Sequence, residues 1–292
     1  MKPYHLQATS TVVEVWAGGR IQMEGQKRHL WQKEVKARLK EELSRIAVPD
    51  EPFAGFYDTT DPTRTDVENS LVTNMDGCRP GGVTLLRFER GTFDPPASPV
   101  PIELISGHLH YYRYARGGEW TTWEPDEVLA RWDRVPRRLR GGEGHGGPAW
   151  LALREAHANG LVDVLGAELP PDAVYGLRLV EHVHRRDKRT AISLSEAAVD
   201  GVLAAFHGDR YSDALFPALT RRFPTVTDEE LRRALDHPAG PLFSTPAITP
   251  NATSVVFSPD DERCILGEVA IHEDCPRPLA ELSGELFTVR RR

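Results

Sequence analysis

Carboxylates and a carboxamide recur at helical spacing from Asp66 to Asp76, in the segment Asp-Val-Glu-Asn-Ser-Leu-Val-Thr-Asn-Met-Asp. On a helix, Asp66, Asn69, Thr73 and Asp76 fall within one narrow arc, while Val67, Leu71 and Met75 form a separate i, i+4, i+8 apolar stripe. Hard divalent cations take oxygen ligands, usually one or two carboxylates plus substrate phosphates. The arc therefore suits Mg²⁺, with Asp66 and Asp76 as metal ligands and Asn69 orienting the site; Glu68 is a further ligand or a base provided that it lies just before the regular helix, since within the helix it would point away. Such a cation can activate water and neutralise the charge that builds on a phosphodiester during transfer. Helix capping explains part of the same segment. Asp66 is a good N-cap, Glu68 meets the positive end of the helix dipole, and Gly77 is a natural stop. Capping leaves Asn69 and Asp76, on the face of Asp66, without a reason.

Two His-x-His pairs, His108/His110 and His182/His184, offer an alternative metal chemistry. Strand period two puts each pair on one face, about 7 Å apart along the chain. Neutral imidazoles so placed can share a metal, which would make the protein a His-ligated metalloenzyme. On the second strand, Leu177, Leu179 and Val183 are expected to face inward, leaving His182 and His184 on the wet face. Cys264, His272 and Cys275 are soft ligands close in sequence, but zinc normally takes four in recognisable pairs. Cys264 begins an apolar run and reads as core.

The phosphate-binding candidates are Arg64 and Arg79, which flank the acidic helix, and Arg137, Arg138 and Arg140 in the run Arg131–Arg140. Trp132 lies in that run and would suit stacking on a base. The glycine-rich segment Gly-Gly-Glu-Gly-His-Gly-Gly-Pro, residues 141–148, matches neither a P-loop nor a dinucleotide fingerprint, so no nucleotide cofactor is expected.

Asp66, Glu68, Asn69, Leu71 and Asp76 resemble the acidic motif of RusA-type Holliday-junction resolvases, in which Asp-x-Asp-Asn opens a helix that carries a Lys and then a further Asp. Glu68 replaces the middle Asp, and Val72 stands at the Lys position. The resemblance covers residues 10–80, including an early strand (TVVEVW) and a helix with an early aromatic (KRHLWQKEVKARL). It implies a Mg²⁺-dependent endonuclease, a hydrolase acting on DNA phosphodiesters. The His pairs are also similar to cupin-type metal sites, which use His-x-His followed closely by a Glu; after His110 the next is Glu119. A third reading is a non-catalytic binding or assembly protein, which Val72 in place of Lys favours.

These groups need a scaffold. Strands are expected at Thr11–Trp16, Phe53–Tyr57, Val83–Phe88, Ile102–Tyr114, Val174–Val183, Cys264–Ile271 and Glu285–Val289. Helices are expected at Gln26–Ile46, Asp66–Asp76, Pro125–Trp132, Ala149–Ala158, Ser193–Phe206 (capped by Ser193), Asp213–Phe223 and Asp228–Leu235 (capped by Thr227). The alternation implies α/β or α+β, a mixed sheet with flanking helices. The prolines at 95–101 mark a candidate boundary between residues 1–94 and 102–292, within what could be one continuous domain. Met75-Asp76-Gly77 and Val199-Asp200-Gly201 hint at two similar halves.

A chain of 292 residues with 40% apolar and 27% charged content is a globular protein with ample core. Net charge −7 supplies no global field for nucleic acid, so any DNA contact must be local. The bias of 30 Arg over 6 Lys matches a GC-rich, bacterial coding sequence. Three cysteines and no apolar N-terminal core point to a reduced, cytoplasmic protein, and no run is long enough to span a membrane. Oligomeric state is not legible.

Overall fold

The computed structural model describes residues 1–292 except 22–29, 64, 76–81, 119, 138–146, 185–189, 210–211, 253 and 277–279, and the side chains of 73–75 and 193–197. Chain order is β1 (Tyr4–Ala8), β2 (Val12–Ala17), α1 (Leu30–Ile46), β3 (Phe53–Thr59), α2 (Val67–Met75), β4 (Leu85–Arg90), β5 (His110–Arg116), β6 (Trp123–Arg137), α3 (Gly147–Ala158), β7 (Val162–Val164), β8 (Tyr175–His182), α4 (Ala191–Ala204), α5 (Leu215–Arg222), α6 (Asp228–Leu235), β9 (Ile248–Pro250), β10 (Val255–Phe257), β11 (Cys264–His272) and β12 (Ala280–Arg291). Ten strands form one mixed sheet in the order β1-β2-β5-β3-β4-β11-β8-β12-β6-β7, and β9 and β10 pair separately.

The two halves of this sheet repeat one arrangement. In the first, β2-α1-β3-α2-β4-β5 gives the strand order β2-β5-β3-β4; in the second, β6-α3-β8-α4-β11-β12 gives β6-β12-β8-β11. Strand directions also match: antiparallel, antiparallel, then parallel. β4 and β11 meet antiparallel at the centre, so the halves are related as by a twofold axis through the sheet. The helices α2 and α4 hold equivalent places; Val199-Asp200-Gly201 lies within α4, while Asp76 and Gly77 of the other tripeptide are outside the described residues. The halves differ in their connections, most of all in the one that follows the second helix. Residues 76–84 join α2 to β4, whereas α5, α6 and the β9–β10 pair lie between α4 and β11. β5, which follows the proline-rich stretch, lies between β2 and β3, so the sheet runs through that stretch without a break.

α1, α2, α4 and α3 touch in that sequence and cover one face of the sheet. Val67 and Leu71 of α2 are buried as the apolar stripe requires, and Leu71 packs 3.1 Å from where a Cβ on Gly55 would lie. At the central seam Phe88 faces Gly267, and a Cβ there would sit 1.9 Å from the ring, so only glycine fits. The other face is polar, with Arg87–Glu268 at 2.7 Å and Arg178–Glu285 at 2.6 Å bridging neighbouring strands. Among the described residues no helix is long and apolar enough to cross a membrane.

Three expectations are corrected. Pro125–Trp132 is part of strand β6, not a helix. Pairing with β12 along its length overrides local propensity. Its prolines are tolerated because β7 pairs only with Ala130–Trp132, leaving Pro125 and Pro136 on an open edge. Of Ile102–Tyr114, only the part from His110 is strand. Ser193 lies inside α4 rather than capping it, because the helix begins at Ala191, whose N–H donates to Val83 O at 2.9 Å. The Thr227 cap is present as a full capping box with Glu230.

Candidate functional site

β3 and β4 run parallel, and their carboxyl ends open beside the N-terminus of α2. This is the place where open α/β sheets bind ligands. Asp66 caps α2: its Oδ1 accepts the Asn69 N–H at 3.0 Å, and its Oδ2 accepts the Asn69 side-chain amide. Its own carbonyl accepts Ser70 N–H and Ser70 Oγ–H. Asn69 therefore shares the face of Asp66 because it locks that carboxylate in place.

A second carboxyl comes from the far half of the chain. Asp261 opens the 3₁₀ turn Asp261–Arg263 that leads into β11, and it shares a hydrogen bond with Asp66. Burial raises both. For Asp261, the charges of Asp66 and of Asp200 on α4 add to burial and push it up to about 8. Two carboxyls so close cannot both ionise cheaply, so the pair holds a proton at neutral pH. Glu68 lies in the first turn of α2, not before it, and is buried. Burial raises the Cys264 thiol, and the charges of Asp66, Asp261 and Glu68 raise it further.

Val72, at the position where the resolvase motif has Lys, is buried in the core. A cation reaches the site from elsewhere. Arg20 donates from Nη2 to Ser70 Oγ at 3.0 Å, and its charge draws Asp66 downward against burial.

His110 belongs to the same end but is engaged. Its Nδ1 lies 2.9 Å from Tyr57 Oη and 3.2 Å from Thr59 Oγ1. Burial pushes it down to about 4, which keeps it neutral. His108 precedes β5.

The equivalent end of the second half lies where parallel β8 and β11 finish. His182 and His272 are register partners there, with ring centroids 5.4 Å apart at 80°. His182 is buried rather than on the wet face. Its Nδ1 is 2.8 Å from Asp274 Oδ1 and its Nε2 is 3.0 Å from Ser283 Oγ. Among the described residues only His182, His272 and Asp274 place three potential metal-ligand atoms within 4.8 Å of one another. His108, His110 and His184 join no such group. His272 thus sits with His182 and Asp274, while Cys264 faces the core.

The arginine run takes a different role from the one its composition implies. Arg137 pairs with buried Glu181, and its side chain is only 10% exposed, so it is not presented to a phosphate. Trp132 is buried against Phe206 and cannot stack on a base. Asp76, Arg64, Arg79, Arg138 and Arg140 lie outside the described residues.

Sequence reasoning missed Arg20, Asp200, Asp261 and Asp274. The run Asp260-Asp261-Glu262 immediately before an apolar strand was the only local signal, and it gives no partner. No protein-family model, curated protein or solved structure matches the chain.

Proposed function

We propose that the acidic end is a Mg²⁺ site and that the protein is a nuclease-like hydrolase of DNA phosphodiesters. The observation that carries this reading is the Asp66–Asp261 pair. The two carboxyls come from opposite halves and lie close enough that the Asp66 charge raises Asp261, a repulsion that a divalent cation would relieve. Asp66 and Asp261 are the proposed ligands, with Asn69 fixing the angle of Asp66; Glu68, inside the helix, is not among them. The bound cation would supply an activated water and neutralise developing phosphate charge. Arg20 takes the part of the motif's missing Lys, facing the phosphate from β2's side rather than from α2. Resemblance to the RusA-type motif supports the same chemistry, with DNA as substrate.

The test is cleavage of four-way-junction, flap, single-stranded and duplex DNA with Mg²⁺ or Mn²⁺. Cleavage of at least one substrate is expected, falling by ~100-fold or more in Asp66→Asn and Asp261→Asn, the scale of losing one contact to developing charge. No cleavage, or cleavage indifferent to both substitutions, would defeat the proposal. A second reading, a non-catalytic binding or assembly protein, is favoured by one observation: the Asn69 bonds make Asp66 a complete cap without any metal. Folded, metal-indifferent protein would support it.

A further inference from the structure

The hydrogen-bond directions around His182 require something positive where His182 meets Asp274. Ser283 Oγ is 2.7 Å from Asp133 Oδ1, and a carboxylate only accepts, so the single hydroxyl proton of Ser283 goes to Asp133. The same oxygen accepts the Arg134 N–H at 2.9 Å. Toward His182 it can therefore only accept, which places a proton on Nε2. In neutral His182 the Nδ1 is then a bare lone pair, yet it points at Asp274 Oδ1 from 2.8 Å. Two acceptors at that distance repel unless a cation lies between or beside them. Arg134 donates to the other oxygen of Asp274. His272 completes the group from the adjacent strand.

We propose that His182, His272 and Asp274 form a binding site for a transition-metal ion of the Zn²⁺ class, separate from the acidic end. Imidazole nitrogens with one carboxylate suit zinc-type ions rather than Mg²⁺. His182 donates its other ring N–H into the Ser283–Asp133 relay, the outer-sphere pattern that fixes a metal-binding imidazole. Arg134 orients Asp274 so that one oxygen faces the site. His272 and Asp274 are exposed, so His272 can rotate to close on the ion and a further coordination position faces solvent.

The test is Co²⁺ titration of the full chain, free of any affinity tag, followed by visible absorption and by Zn²⁺ displacement. One equivalent is expected, with visible ligand-field bands that Zn²⁺ abolishes. His272→Ala and Asp274→Asn, both at exposed positions, should each weaken binding at least ~10-fold. Asp66→Asn and Asp261→Asn should leave it unchanged. Absence of saturable binding would mean that the charge is a proton on His182 and would overturn the proposal. Equal binding by wild type and the His272→Ala/Asp274→Asn double variant would also overturn it.

Discussion

The two ends of the sheet share a backbone plan and differ in chemistry. Each lies where two parallel strands finish beside a helix, β3/β4 with α2 and β8/β11 with α4. At the first, oxygen donors gather, and burial together with the charge of Asp66 raises Asp261. At the second, two imidazoles and one carboxylate converge over a hydroxyl relay. Much of the difference originates in the connections. The long α4–β11 segment carries Asp261 across the seam into the first half's site. A repeated scaffold thus places two strand ends alike, and the loops decide which side chains gather at each.

The comparison can be broken most severely beneath the second end. Arg137→Ala strands buried Glu181 without this partner and should cost about 3–5 kcal/mol in urea unfolding. A loss below about 1 kcal/mol would mean that Arg137 is a surface group after all. Next comes the pH dependence of the first end. Asp261 is raised to about 8 when folded, so between about pH 4 and 8 the folded state holds a proton that the unfolded state has lost. Stability should therefore fall as pH rises through that window. Asp261→Asn should remove this slope and gain roughly 1–3 kcal/mol at pH 8, read from paired denaturation curves.

His110 gives the opposite slope at the same end. Pushed down to about 4, it contributes stability that is complete above about pH 6.5 and lost as pH falls toward 4. Thermal melts of His110→Gln should lose acid sensitivity in that window alone. The smallest effect is a control on the insertion that delivers Asp261. Thr227→Ala breaks the capping box of α6 and should cost about 1 kcal/mol, with metal binding at both ends retained. Loss of metal binding there would show that the insertion positions more than Asp261.

Local signals carried much of the fold. Thr227 and Glu230 announce α6 because a capping box is contained within four residues. Val67 and Leu71 reveal the buried side of α2 by spacing alone. β6 was hidden because its identity depends on pairing with β12, over a hundred residues away. The site divides in the same way. Asp66, Glu68 and Asn69 are neighbours and could be read together. Asp261 could not be joined to them, since only the β4–β11 seam brings it there. His182 and His184 suggested a pair by period two, but the real partner of His182 is His272 on the next strand.

Calorimetric titration of Mg²⁺ into the protein at pH 7.5, in two buffers of different ionisation enthalpy, tests the acidic end most directly. One bound ion with release of about one proton is expected, since ligands must deprotonate and the carboxyl pair holds the proton to be displaced. Asp261→Asn should abolish both binding and proton release. Binding with no proton release, binding unchanged in Asp261→Asn, or no binding at all would contradict a Mg²⁺ site built on Asp66 and Asp261.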